Sequence, residues 1–265
     1  MSGLTARRTI GWCVGVAYAA AGARAMILRR LKSGARLPVV VHALPADELD
    51  RLLGWLEAHG VLDRLWLTFD DGWLSVGESV PVLEKYNVRA KVFIAPGETI
   101  RGRVWTSAAI GCGIPAKTWR GWYALCEADR YDRLFAAGGA RAGRELLSVE
   151  EVVALSKHPL IEIENHTWSH LSAVHRPLPE VVDEVRRAQT MLAEWTGRAP
   201  EFLAWPFGRG NAALDRAARE MELVPVYTRQ GYEVPLCRNM AIEDVSFQEN
   251  LGRVLGAWPK VGETL

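Results

Sequence analysis

After Gly34 the chain settles into an alternation that few architectures can accept: short β-branched runs separated by longer amphipathic stretches. Strands are expected at 38–42, 65–69, 91–95, 160–164, 201–205 and 223–227, with a weaker one near 236–240. Helices are expected at 47–59, 76–86, 179–195, 212–221 and 245–255. Strands that alternate with helical patterns read as β/α units around a parallel sheet. Seven such strands predict an α/β fold, a (β/α) barrel occupying residues 35–265. Residues 97–146 break the rhythm with glycines, tryptophans and mixed charge, and read as an irregular insertion over one end of the sheet. Just beyond it, Ser148 with Glu151 three residues later has the pattern of a capping box that opens a helix.

The first 34 residues are a separate element. Arg7, Arg8, Arg24, Arg29, Arg30, Lys32 and Arg36 lie within the first 46 positions, where no acid occurs. The chain as a whole has a net charge of +1, so no global field points to a nucleic-acid partner. From Ile10 to Ala23 the residues are uncharged and mostly apolar, a run short of the roughly 18 to 20 needed for a spanning helix. A basic amphipathic leader helix, packed on the domain or lying at a membrane surface, is the expected reading, with a signal peptide cut near Ala21-Gly22-Ala23 and a membrane anchor as alternatives. The first places the protein in the cytoplasm or at its membrane, the second outside. The four cysteines, at 13, 112, 126 and 237, are too scattered for a disulfide framework. Eleven tryptophans suit a packed core, and indole faces also cover the apolar face of sugars.

Chemistry gathers where the strands end, the face on which parallel β/α folds build their sites. The strand 65–69 runs into Asp70-Asp71-Gly72. Two adjacent carboxylates aimed into a cleft repel each other, so such a cleft needs a cation or a proton; an exposed Asp-Gly turn is the plainer alternative. The strand 160–164 runs into Asn165-His166-Thr167-Trp168-Ser169-His170. Histidines four apart can converge on one metal if the chain turns helically there, and with Asp71 they make a two-histidine, one-carboxylate set.

These residues carry a resemblance. Thr68-Phe69-Asp70-Asp71-Gly72, His166-Thr167-Trp168-Ser169-His170 and Ala204-Trp205-Pro206-Phe207-Gly208 resemble, in order, three motifs of the polysaccharide deacetylases, the NodB-homology or family-four carbohydrate esterases. The resemblance spans residues 38–257. It implies that Asp71, His166 and His170 hold a divalent metal, zinc first and cobalt or nickel next. It implies Asp70 as the general base that deprotonates the attacking water, and the Phe207 backbone N–H as oxyanion-hole donor. The family's general-acid histidine, normally near the carboxyl terminus, has no counterpart there, since the last histidine is His175. In the circularly permuted subgroup that deacetylates poly-N-acetylglucosamine, this histidine precedes the Asp pair, and His42 fits that place. Ala204 replaces an arginine that orients the base in many members; Arg238 is a candidate to take its role or to make a surface ion pair. Glu164 stands where a glycine is common, either supporting His166 or crowding it. His59, His158 and His175 match no motif.

The resemblance implies a metal-dependent N-deacetylase acting on an aminosugar in a polysaccharide, oligosaccharide or lipid-linked glycan. A small-molecule amide or imide hydrolase and a non-catalytic glycan-binding relative are the alternatives.

Overall fold

The structure, a computed structural model, describes residues 23–138, 143–228, 237–241 and 247–255. The expected alternation is realised as seven parallel strands that close into a barrel in sequence order. They are β1 (Leu37–Val41), β2 (Leu65–Phe69), β3 (Ala90–Ile94), β4 (Ile161–Asn165), β5 (Phe202–Ala204), β6 (Val224–Thr228) and β7 (Cys237–Met240). Closure is made by β1 against β7, with Val39 opposite Asn239 and Val40 opposite Met240. A closed sheet has no free edge.

Successive side chains of a strand point to opposite faces, and here both faces are covered, which is why the strands read as nearly continuous apolar runs. Val39, Val41, Leu67, Phe69, Val92, Ile94, Ile161 and Ile163 point outward. They pack on Leu49, Leu52, Leu53 and Leu56 of α2 (Ala46–Ala58) and on Leu83 of α3 (Ser75–Tyr86). The alternate positions fill the barrel: Phe93, Ala204 and Val226 meet Trp66 and Phe202. A second outer core joins Val181 and Val185 of α9 (Leu178–Thr196) to Leu214 of α10 (Ala212–Glu220) and Tyr227.

Local signals set the helix ends. Helix α8 (Val149–Leu155) opens on the expected capping box, with both Ser148–Glu151 hydrogen bonds present. The Asn211 side chain accepts from the N–H groups of Ala213 and Leu214 at the start of α10. Helix α9 ends on Gly197 at φ 73°, the left-handed stop that glycine adopts without strain. The last described helix, α11 (Phe247–Val254), packs against β7 and α2.

One region differs from expectation. The stretch 97–146 is mostly helical where described: α4 (Pro96–Arg101), α5 (Trp105–Gly111), α6 (Ala116–Arg120) and α7 (Glu127–Ala136). Trp105, Trp122, Tyr123, Tyr131 and Leu134 give these helices a core of their own. The apolar run 10–23 lies outside the described residues except for its last residue. The basic end of the leader forms α1 (Ala23–Lys32), whose Leu31 is buried in the main core with Ile27 and Leu28 beside it. No described helix is long and apolar enough to cross a membrane.

Candidate active site

The site forms at the carboxyl ends of β2, β4 and β5. Asp70 extends the β1–β2 ladder by one bond, its N–H donating to the Val41 carbonyl at 2.9 Å. Its side chain therefore follows Thr68 into the barrel mouth, where it is 2% exposed. The chain then turns through left-handed residues, Asp71 at φ 71° and Gly72 at φ 76°. At that φ Gly72 occupies the left-handed region that glycine adopts without strain, and a Cβ there would also meet Ile94 Cδ1 at 2.5 Å. Asp71 Oδ2 accepts from Trp73 Nε1 at 3.1 Å, and Oδ1 is left pointing at two imidazoles.

Those imidazoles come from the segment after β4. The His166 N–H donates to the Ile94 carbonyl, which holds the start of the segment against β3. No helical turn follows. Thr167 at φ 65° and His170 at φ 47° are left-handed instead, and the Thr167 N–H donates to Asn165 Oδ1. This fold-back brings the Nε2 atoms of His166 and His170 to 3.2 and 3.1 Å from Asp71 Oδ1. One ligand atom from each of the three buried residues lies within 4.8 Å of the others. Among the described residues, Asp71, Thr167, His170 and Phe207 account for four of six non-glycine residues with positive φ. Such conformations persist only where the surroundings over-determine them, and they cluster at functional sites.

The donor chemistry fits a divalent cation. His166 Nδ1 lies 2.7 Å from the Ala204 carbonyl oxygen, which can only accept, so the proton is on Nδ1. In the neutral ring Nε2 is then a bare lone pair facing the Asp71 carboxylate. Asp71 Oδ1 is buried without a hydrogen-bond partner. Lone pairs converging in a buried pocket repel unless a cation or proton lies between them. A ring nitrogen donating to a backbone carbonyl is also the usual way a metal-binding histidine is aimed.

The buried carboxylate and the imidazoles also act on one another's charge. Burial pushes the Asp71 carboxyl up, but His170, His166 and His42 outweigh it and hold the group well below the usual carboxylate range. Burial pulls both imidazoles down. At His166 the adjacent Asp71 carboxylate and the charge of Asp70 reverse that effect, whereas His170 stays lowered.

His42, half-buried, is the first residue beyond β1 and adjoins Asp70 across the Val41–Phe69 pair. It is near enough for its charge to act on both Asp71 and His170. Phe207 sits at φ 62° in a tight turn after β5, with its ring 4.7 Å from those of His170 and Tyr123. Arg238 is on β7 opposite Thr228; its side chain lies outside the described part of the structure.

Glu164 neither supports His166 nor crowds it. Fully buried, it accepts from the N–H groups of Glu201 and Phe202 at 2.8 and 2.9 Å and pairs with Lys91, thereby tying β5 to β4 below the site. The unmatched histidines are structural. His59 stacks on Trp55, His158 pairs with Glu84, and His175 bonds to Ser172. The use of the Ala204 carbonyl within the third motif was not expected, nor were Trp73, Trp105 and Arg130, which contact motif residues from outside. Only Trp73 adjoins a motif in sequence.

The profile of the polysaccharide deacetylase family matches residues 62–226, more than half the chain. No curated protein matches the sequence. Among solved structures, IcaB from Ammonifex degensii superposes with a TM-score of 0.55 at 18% identity, covering 82% of this chain and 96% of that one. BC0361, a polysaccharide deacetylase from Bacillus cereus, gives 0.54 at 13% identity over 82% of this chain and 67% of its own. A parallel barrel with a buried Asp-His-His group at the strand ends is thus the setting in which the family's motifs fall. The chain belongs to the polysaccharide deacetylase family.

Proposed function

We propose that this protein is a metal-dependent N-deacetylase that hydrolyses the acetamide of an N-acetylated aminosugar in a polysaccharide, oligosaccharide or lipid-linked glycan. One observation carries the reading: buried Asp71 Oδ1, with no hydrogen-bond partner, lies between two imidazole nitrogens, with a second carboxylate, Asp70, beside it at the barrel mouth. Asp71, His166 and His170 would hold the cation, zinc in preference to cobalt or nickel, and when bound it lowers the pKa of water and polarises the amide carbonyl.

The chain's own groups do the rest. Asp70 takes a proton from the water that attacks the carbonyl carbon. The backbone N–H of Phe207 faces the oxygen on which negative charge develops, so phenylalanine in place of tyrosine costs nothing there. His42 gives a proton to the nitrogen as the C–N bond breaks. Acetate and a free amine leave. The basic, apolar leader suits peripheral contact with an anionic membrane.

Incubation of the purified protein with a panel of N-acetylated glucosamine oligomers and acetylated small amides tests the reading. Acetate release from the oligomers supports it. Release from the small amides alone replaces it with the small-molecule alternative, and release from neither, by protein holding its metal, contradicts it.

A further inference from the structure

The insertion contacts three consecutive residues of the ligand segment, Trp168, Ser169 and His170. The Gly97 N–H donates to the Trp168 carbonyl at 2.9 Å, and a Cβ on Gly97 would come within 2.8 Å of that oxygen. Glu127, the first residue of α7, accepts from Trp168 Nε1 at 3.1 Å. One turn on, Arg130 reaches Ser169 with a single terminal nitrogen, 2.9 Å from its carbonyl oxygen and 2.6 Å from its hydroxyl. From the opposite side, Glu184 of α9 accepts from the Ser169 N–H at 2.8 Å and from its hydroxyl at 2.7 Å. Trp105 Nε1 then donates to the His170 carbonyl at 3.0 Å.

Ser169 therefore has its N–H, carbonyl and hydroxyl all engaged by two charged side chains. Arg130 is 1% exposed. Burying a guanidinium is costly unless its partners are fixed, and here the partners are the Leu125 carbonyl, at 3.2 Å, and the carbonyl and hydroxyl of Ser169, next to His170. That peptide precedes a residue held at φ 47°, a conformation with no local stabilisation of its own.

We infer that Arg130 and Glu184 are positioning residues that clamp Ser169 and so hold His170 in register with His166 and Asp71, making the insertion a determinant of metal affinity. The inference rests on the metal-centred reading proposed above. Neither side chain touches the reacting atoms. Arg130 acts by fixing the carbonyl side of the Ser169 backbone, and Glu184 by fixing its N–H side.

The test is zinc affinity, measured by competition between the metal-free full-length protein and a colorimetric chelator, with the thermal midpoint of the metal-free protein read in parallel. Glu184→Gln keeps the shape but loses the charge. Arg130→Lys keeps the charge but loses the planar fork. Each is expected to weaken zinc binding by about 10- to 100-fold, the range seen when a group behind a metal ligand is removed, with the fold retained. Leu56→Ala, a core truncation in α2, should lower the midpoint and leave zinc affinity unchanged. Affinities within twofold of wild type in Glu184→Gln and Arg130→Lys would overturn the clamp while leaving the metal site standing. Equal weakening by Leu56→Ala would also overturn it, since the loss would then be one of general stability. Failure of the wild-type protein to bind zinc would overturn the metal reading itself, and the clamp with it.

Discussion

His166 is aimed by Ala204: its Nδ1 donates to the Ala204 carbonyl at 2.7 Å, joining the second motif to the third across the β4–β5 pair. The contact depends on where the backbone of β5 runs, and that depends on how little space residue 204 takes beside Phe93 and Val226. Ala204→Leu inserts three carbons into this packing. Overpacking of this kind costs about 1–3 kcal/mol. The expected outcome is a lower thermal midpoint together with weaker zinc binding, whereas a variant destabilised with unchanged zinc affinity would show that the carbonyl does not aim the ring.

Base and acid separate by mutation. Asp70→Asn should keep the metal while kcat falls by about 10²- to 10⁴-fold, and His42→Ala should cost about 10²-fold or more, the range for one proton-transfer group. A general acid must be protonated to act, so the alkaline limb of the pH–rate profile should vanish in His42→Ala. Steady-state kinetics across pH with metal analysis of each variant are the check. Full activity in His42→Ala would send the search for the acid elsewhere.

Phe207 combines a main-chain role with a ring that packs on His170 and Tyr123. Phe207→Tyr retains both and should remain within a small factor of wild type. Phe207→Pro removes the N–H and fixes φ near −65°, incompatible with the φ of 62° observed. Loss of one oxyanion donor alone is worth about 10²- to 10³-fold in kcat. A Pro variant that folds and retains wild-type kcat would remove Phe207 from the oxyanion site.

Glu98 should give the insertion a pH-dependent stability. It is fully buried, with Oε2 accepting from the Trp105 N–H and the Tyr131 hydroxyl and Oε1 without a partner. Burial raises its pKa from 4.5 to about 8, against the opposing hydrogen bond from Tyr131 and the charges of Arg130 and Arg101. A carboxyl raised in the folded state binds a proton that the unfolded chain has released. Its contribution is therefore greatest below pH 4.5 and is lost as the pH climbs to about 8. Glu98→Gln is neutral at every pH, so its thermal midpoint should gain on wild type between pH 5 and pH 8.5. Parallel midpoint-against-pH curves would contradict this.

How much of this was legible in sequence follows from the range of the interactions. β2 occupies 65–69 as expected, because an apolar strand and its Asp-Asp-Gly stop are both local signals. β5 is shorter than expected, since the N–H groups of Glu201 and Phe202 go to the Glu164 carboxylate rather than to a strand partner. The insertion helices are at most ten residues long, too short to print a clear 3.6-residue period. Asp71 and His166 were readable because each follows directly on a strand and its neighbouring motif residues, and His170 because it stands four residues after His166. The groups that orient them act from far away in the chain, Trp105 on the residue 65 positions later and Arg130 on one 39 later, and no local spacing encodes such pairs.

The central claim, that acetyl hydrolysis runs on a metal held by Asp71, His166 and His170, is tested most directly by titrating zinc into the chelated protein while acetate release from an N-acetylglucosamine oligomer is followed. The account predicts no release without metal and a rise that levels off at about one equivalent, as expected of a single catalytic ion, with no such rise in His166→Ala. Undiminished release from the metal-free protein, or an unchanged titration in His166→Ala, would contradict it.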